Sequence, residues 1–135
     1  MKLGDIINAA DLSEIEITGI TSDSRIVKPG NVFVCIRGRT SDGHAFANQA
    51  KEMGAAVIIA EYDTGISSQI IVKDTRKTYA EMCANYFGRP AEKMKLIGVT
   101  GTNGKTTVTF LIKQILEKSG KKSGLIGTIQ NMIGD

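Results

Sequence analysis

Residues 96–107 read Leu96-Ile97-Gly98-Val99-Thr100-Gly101-Thr102-Asn103-Gly104-Lys105-Thr106-Thr107, an apolar run that breaks at a glycine and closes on a lysine and two threonines. The pattern that follows puts Val108, Leu111, Ile112, Ile115 and Leu116 on one helical face, which is expected to anchor the helix against a sheet. A strand running into a glycine turn and then a helix is the setting of a phosphate-binding loop. Glycines let successive backbone amides curl round an anion, and the helix N-terminus adds its dipole. Lys105 supplies positive charge toward the terminal phosphates and is the catalytic candidate; the Thr106 hydroxyl is the candidate ligand for magnesium. The nucleotide-binding candidates are therefore Gly101, Thr102, Asn103, Gly104, Lys105, Thr106 and Thr107. The general pattern G-x-x-x-x-G-K-[ST] asks for a glycine where this chain has Val99. The plainer alternative is a glycine turn before an ordinary helix with an exposed lysine.

Working outward, the runs Val32 to Ile36, Ala56 to Ala60, Gln69 to Val72 and Leu96 to Thr100 are β-branched-rich and bounded by glycine or polar residues, as buried strands are. Between them lies a helical pattern over His44 to Met53, opened by Asp42 as a cap and closed by Gly54. A second helix starts after Asp74, carries Tyr79, Met82, Cys83, Tyr86 and Phe87 on an apolar stripe, and stops at Gly88-Arg89-Pro90. Gly88 to Lys95 reads as a linker. After it, strand Leu96 to Thr100, helix Lys105 to Lys118 and strand Leu125 to Ile129 make one βαβ unit. The fold class is α/β: a small N-terminal α/β domain with a mostly parallel sheet over residues 1–90, then the first βαβ unit of a P-loop ATPase domain over 91–135.

The bulk composition narrows the function. With 135 residues, 41% hydrophobic and 23% charged, the chain has the make-up of a soluble protein and no apolar run of membrane-spanning length. No secretory signal is visible at Met1-Lys2-Leu3-Gly4-Asp5, so a cytoplasmic location is expected. The net charge of +3 is scattered and aromatics make up only 5%, which suits a small anionic ligand better than nucleic acid. Cys35 and Cys83 lack metal-ligand spacing and read as buried thiols. His44 is the one histidine, and at a helix start it reads as packing or exposed rather than ligating.

The string Gly101 to Thr107, with its apolar Val99, resembles the loop of the Mur ligases, the ATP-dependent ligases that build the peptidoglycan stem peptide. In the N-terminal half, Ile20-Thr21-Ser22-Asp23-Ser24-Arg25, Pro29-Gly30, Val32-Phe33-Val34, Gly38, Asp42-Gly43-His44 and Gly54-Ala55 look like the start of such a ligase. That order is similar to the members that add the third residue or the terminal dipeptide. Gly127-Thr128-Ile129 followed by Ile133-Gly134-Asp135 is closer to the third-residue members. The resemblance implies ATP and Mg2+ as cofactors, and a UDP-N-acetylmuramoyl-peptide and an amino acid as reaction partners. By matching position it places Ser22, Ser24, Arg39, Thr40 and Ser41 at the UDP-substrate site.

The implied reaction has two stages: a substrate carboxylate takes the γ-phosphoryl group of ATP, and an amine then displaces phosphate from the acyl phosphate. Family members use acidic residues and a modified lysine beyond the loop, and a third domain for the amino acid. After Thr107 this chain has only Glu117 and Asp135 as acids. The chain by itself is therefore expected to be inactive, as an N-terminal piece of a longer ligase. A stand-alone nucleotide-binding module and the terminal-dipeptide ligase are the alternatives.

Overall fold

Three of the apolar runs become strands, and in the two central ones valine and isoleucine suit a pleated backbone that is covered on both faces. The computed structural model describes residues Met1–Gly134, and Asp135, counted above among the acids, lies outside them. The chain forms two compact units, Met1–Met94 and Lys95–Asp135.

In the first unit, β1 (Gly19–Thr21), β2 (Asn31–Val34), β3 (Val57–Ala60) and β4 (Gln69–Ile71) form a four-stranded, wholly parallel sheet in the order β1-β2-β3-β4. Val32 stands opposite Ile20 on one side and Val57 on the other. Alternate residues of the central strands point to opposite faces. Val32, Val34, Val57 and Ile59 pack with Leu3, Ile6, Ile17 and Met82, while Phe33, Ile58 and Ala60 pack with Val27, Ala47, Ala50 and Ile66. One face is thus covered by the N-terminal segment and helix α2 (Thr75–Tyr86), the other by helix α1 (Ala47–Glu52) and the connections beside it.

The helix ends follow the expected chemistry. The Asp42 carboxylate caps a 3-10 turn over Gly43–Phe46 that leads into α1, and the Asp74 carboxylate accepts the Lys77 N–H at 2.9 Å to cap α2. The His44-to-Met53 pattern is therefore a 3-10 turn followed by a short α-helix. On α2, Met82 is fully buried but Phe87 is 71% exposed, because the chain has already left the helix at that point and Arg89 adopts φ 51°. The stripe expected from the sequence ends one residue earlier than the pattern suggested. The sequence reading also passed over β1, a three-residue edge strand whose Gly-Ile-Thr is half-buried at two of its positions.

The second unit corrects the βαβ expectation. Helix α3 (Lys105–Lys118) forms over the expected residues, but residues 96–100 form no strand, and Leu96 and Ile97 are 73% and 58% exposed. Leu125 to Ile129 yields only β5 (Gly124–Ile126), paired antiparallel with β6 (Asn131–Ile133). A parallel strand needs a neighbour to take its N–H and C=O groups. Here the tight link Gly127–Gln130 folds β6 back onto β5, and among the described residues no strand pairs with 96–100. The expected apolar anchor of α3 is only partly engaged: Ile112 and Leu116 are half-buried, whereas Val108, Leu111 and Ile115 remain exposed. Instead Lys113, buried on α3, pairs with Glu117, which also accepts the Ser123 hydroxyl at 3.1 Å just ahead of β5.

Met82 joins α2 to the sheet. Met82→Ala should lower the unfolding free energy of the first unit by about 3 kcal/mol, read as a lower urea midpoint at unchanged slope. A loss under about 1 kcal/mol would show that α2 is held mainly by its cap and its polar contacts.

Candidate functional site

Because β1 to β4 all run the same way, the segments leaving their carboxyl ends share one edge of the sheet, where open α/β folds place ligands. Ser22 and Ser24 follow β1, and Arg39, Thr40 and Ser41 follow the adjacent β2, so the sequence candidates from these two stretches gather on that edge. Ser22, Arg39, Thr40 and Ser41 are exposed and Ser24 is half-buried. Ser24 opens a 3-10 turn over Ser24–Ile26 that is built by Asp23. The Asp23 carboxylate accepts the backbone N–H of Arg25 at 3.0 Å and its guanidinium at 2.9 and 2.6 Å, and the Asp23 N–H donates to the Thr21 hydroxyl at 3.1 Å. The turn is locally capped, and the Ser24 side chain needs no part in the capping.

The same edge holds a cluster that the sequence did not reveal. His44 is buried; its Nε2 accepts the Glu61 N–H at 2.9 Å, which leaves the ring proton on Nδ1, donated to Asp42 Oδ1 at 2.5 Å. Its ring stacks on Tyr62 with centroids 4.2 Å apart. Arg37 Nε lies 3.4 Å from the other Asp42 oxygen, and Glu61 accepts both the N–H and the hydroxyl of Thr75 at 3.1 Å. The His44 backbone N–H, and then its ring, hold the Asp42 carboxyl below the usual range; the Thr75 N–H, then its hydroxyl, do the same for Glu61. Of the two alternatives expected for His44, packing or exposure at a helix start, the structure shows packing. Its partners are not apparent in the sequence, where Glu61 stands 17 residues away and Asp42 carries only the signal of a cap. Cys35 is buried, which pushes its thiol up to about 12, whereas Cys83 is half-buried. Burial acts first on Cys35, and the charge of Asp42 in the cluster adds to it.

In the second unit, the expected loop is a turn and not a strand. Gly101 and Gly104 have φ of 150° and 75°, and Gly104 is the N-cap of α3, with Lys105, Thr106 and Thr107 in its first turn. Residues 101–107 are all exposed, so the free amides at the start of the helix face open space beside a lysine. Lys105 Nζ folds back to donate to the Gly101 carbonyl and lies 3.4 Å from that of Thr102. Among the described residues no group of three or more His, Cys, Asp or Glu is placed to hold a metal. The Thr106 hydroxyl is a single oxygen donor, which fits a magnesium ion that takes most of its ligands from phosphates and water.

Residues 16–87 match the description "Mur ligase family, catalytic domain", and residues 99–134 match "Mur ligase middle domain". The chain belongs to the Mur ligase family. It is 46% identical, over its whole length, to the UDP-N-acetylmuramoyl-L-alanyl-D-glutamate–2,6-diaminopimelate ligase of Listeria monocytogenes serovar 1/2a, of which it covers 29%. Over 89% of its length it is 51% identical to the enzyme of that name from Syntrophomonas wolfei, covering 25% of it. Among solved structures, a UDP-N-acetylmuramoyl-L-alanyl-D-glutamate–2,6-diaminopimelate ligase superposes on 98% of the chain and 28% of its own, with a TM-score of 0.79 at 27% identity. The MurF ligase of Thermotoga maritima in complex with ADP superposes on 81% of the chain and 24% of its own, with a TM-score of 0.59 at 30% identity. This Mur ligase chain thus spans less than a third of the length of these relatives. No helix in it is long and apolar enough to cross a membrane.

The Asp23–Arg25 pair gives a direct check on the Ser24 turn. The Arg25 side chain, then its backbone N–H, hold the Asp23 carboxyl down at about 2. A depressed carboxyl supports the turn at any pH above its ordinary value of 3.8 and loses that support as pH falls through about 2. In Arg25→Ala the carbon-13 titration of Asp23 should move up toward the ordinary value. An unmoved midpoint would show that the guanidinium contact does not form in solution.

Proposed function

We propose that this chain is the substrate- and nucleotide-entry portion of an ATP-dependent ligase that adds the third amino acid, 2,6-diaminopimelate, to UDP-N-acetylmuramoyl-L-Ala-D-Glu in the bacterial cytoplasm. One observation carries the reading: an open glycine turn capping a 14-residue helix with Lys105 and Thr106 in its first turn, within a chain of Mur ligase descent. The names borne by its curated relatives favour the third-residue reaction over terminal-dipeptide addition.

On this reading residues 1–90 hold the uridine diphosphate end of the substrate at the carboxyl edge of the parallel sheet. Ser22 and Ser24 offer hydroxyls that both donate and accept, and Arg39, Thr40 and Ser41 offer a cation and two more hydroxyls to a diphosphate. Residues 91–135 open the ATP site. The amides of Gly101 to Thr107 take the phosphate oxygens, Lys105 leaves the Gly101 carbonyl to meet the γ-phosphate, and Thr106 contributes one ligand to magnesium.

Magnesium, when bound, neutralises charge on the phosphates. The substrate carboxylate oxygen attacks the γ-phosphorus and ADP leaves; the amine nitrogen then attacks the acyl carbon, and inorganic phosphate leaves. Neither stage needs an enzyme nucleophile, so the work of this chain is positioning and charge neutralisation. The amino-acid site and the acidic metal ligands are supplied by sequence that this chain does not include, so the chain alone makes no amide.

Calorimetric titration of the chain with UDP-N-acetylmuramoyl-L-Ala-D-Glu should give saturable heat. Ser24→Ala should weaken that binding by about fivefold, the equivalent of one hydrogen bond. Lys105→Ala should remove residual ATP binding and leave the uridine ligand unaffected. No heat at millimolar uridine ligand, equal ATP affinity in Lys105→Ala, or amide formation by the isolated chain would each overturn the corresponding part of the reading.

A further inference from the structure

The loop after β2 closes on itself at its base. The Gly38 N–H donates to the Ser41 carbonyl at 2.8 Å, the Gly43 N–H donates to that of Ile36 at 3.0 Å, and Arg37 and Asp42 face each other as an antiparallel bridge. Arg39, Thr40 and Ser41 stand exposed at its tip. The base admits no side chain at residue 43, where a Cβ would lie 2.7 Å from both the N and O of Ile36.

The Asp42 carboxylate links this base to the body of the sheet. It takes the His44 N–H, which already satisfies the cap of the turn over Gly43–Phe46. The His44 ring therefore adds something that capping does not require. Its side chain is 1% exposed, held at Nε2 by the amide that follows β3 and at Nδ1 by Asp42. Tyr62 covers the ring, and Arg76 Nη2 donates to the Arg37 carbonyl at 3.1 Å from the first turn of α2. A planar ring bonded at both nitrogens is a rigid strut between a strand end and a loop base.

We infer that His44 is a positioning residue: through Asp42 it ties the Arg39–Thr40–Ser41 loop to the end of β3 and sets that loop for a diphosphate-bearing ligand. The inference rests on the reading of this loop as part of the uridine diphosphate site. It goes beyond that reading in naming a buried side chain that touches no ligand and yet governs the affinity. The Asp42 end matters most, since it is the end that carries the loop.

Three variants of the whole chain separate the two ends of the strut. His44→Asn keeps a donor where Nδ1 sits, His44→Gln keeps an acceptor near Nε2, and His44→Phe keeps only the ring. Uridine 5′-diphosphate is the calorimetric probe, and amide hydrogen exchange is followed at Gly38 and Gly43 against amides of β2 and β3. His44→Phe and His44→Gln should each weaken binding by about tenfold and speed exchange at Gly38 and Gly43 by about tenfold, with strand amides unchanged. His44→Asn should bring both readouts to within about threefold of the parent.

Equal acceleration of strand and loop amides in all three variants would mean a structural role only and would overturn the inference. So would parental binding and exchange in His44→Gln, or an Asn variant no better than the Gln variant. Should His44→Phe fail to fold, the Gln and Asn pair decides alone. If the parent chain fails to bind the probe, the proposed function falls, and the exchange readout still decides whether His44 orders the loop.

Discussion

Everything in the first unit depends on four strands lying parallel and adjacent in chain order. Parallel pairing obliges the chain to return after each strand, which places covering segments on the two faces and brings every departing loop to the same edge. That one constraint explains why residues as distant as Ser24, Ser41, Glu61 and Thr75 share a neighbourhood. It also explains why the central strands are apolar from Val32 to Val34 and from Val57 to Ala60, and buried throughout, with the polar Asn31 only at the start of β2. Neither face is available for solvent, so polar chemistry is confined to the strand ends.

At that edge the chain must satisfy polar groups that the sheet leaves over. The Glu61 amide, just past β3, finds its acceptor in the His44 ring, and the first amide of α2 finds the Glu61 carboxylate. No buried side-chain nitrogen or oxygen lacks a partner among the described residues. A buried polar group left unpaired costs far more than an ordinary hydrogen bond contributes, so such a network holds its members in one arrangement. The exposed loop at residues 39–41 thereby gets a firm base without any side chain of its own being buried.

What the sequence disclosed follows the range of the interactions. Asp42 and Asp74 act on amides two or three residues ahead, and the sequence shows the first as a cap and the second as the point where a helix begins. The runs that became β2 and β3 were legible because burial on both sides selects apolar, largely β-branched residues at consecutive positions, and β4, an edge strand, because Ile70, Ile71 and Val72 still form a β-branched run. Gly19 to Thr21 was not, since an edge strand is half-covered and its three residues carry no such pattern. The glycine turn and helix of residues 101–118 were legible from local chemistry alone. The strand expected before them is not realised: a strand depends on a partner distant in sequence, and no described strand pairs with residues 96–100. The contacts of His44 with Glu61 and Tyr62 were hidden for a similar reason: they span two strands of a sheet whose register no short motif encodes.

The two candidate sites consequently differ in how firmly they are held. The loop at residues 39–41 is tied to two strand ends and a helix, so little ordering remains to oppose binding there. The phosphate loop is secured on its helical side, where α3 is pinned to β5 through Leu125, Glu117 and Ser123, but residues 96–100 before it have no strand neighbour among the described residues. An anion cradle works by holding its amides in place before the anion arrives. Amides on the helix side of Gly104 meet that condition through the helix itself, while those of Gly101 to Asn103 depend on the segment ahead of them. On the proposed reading, a uridine diphosphate ligand would meet a formed loop at residues 39–41, and a nucleotide would meet amides held firmly on the helix side of Gly104 only.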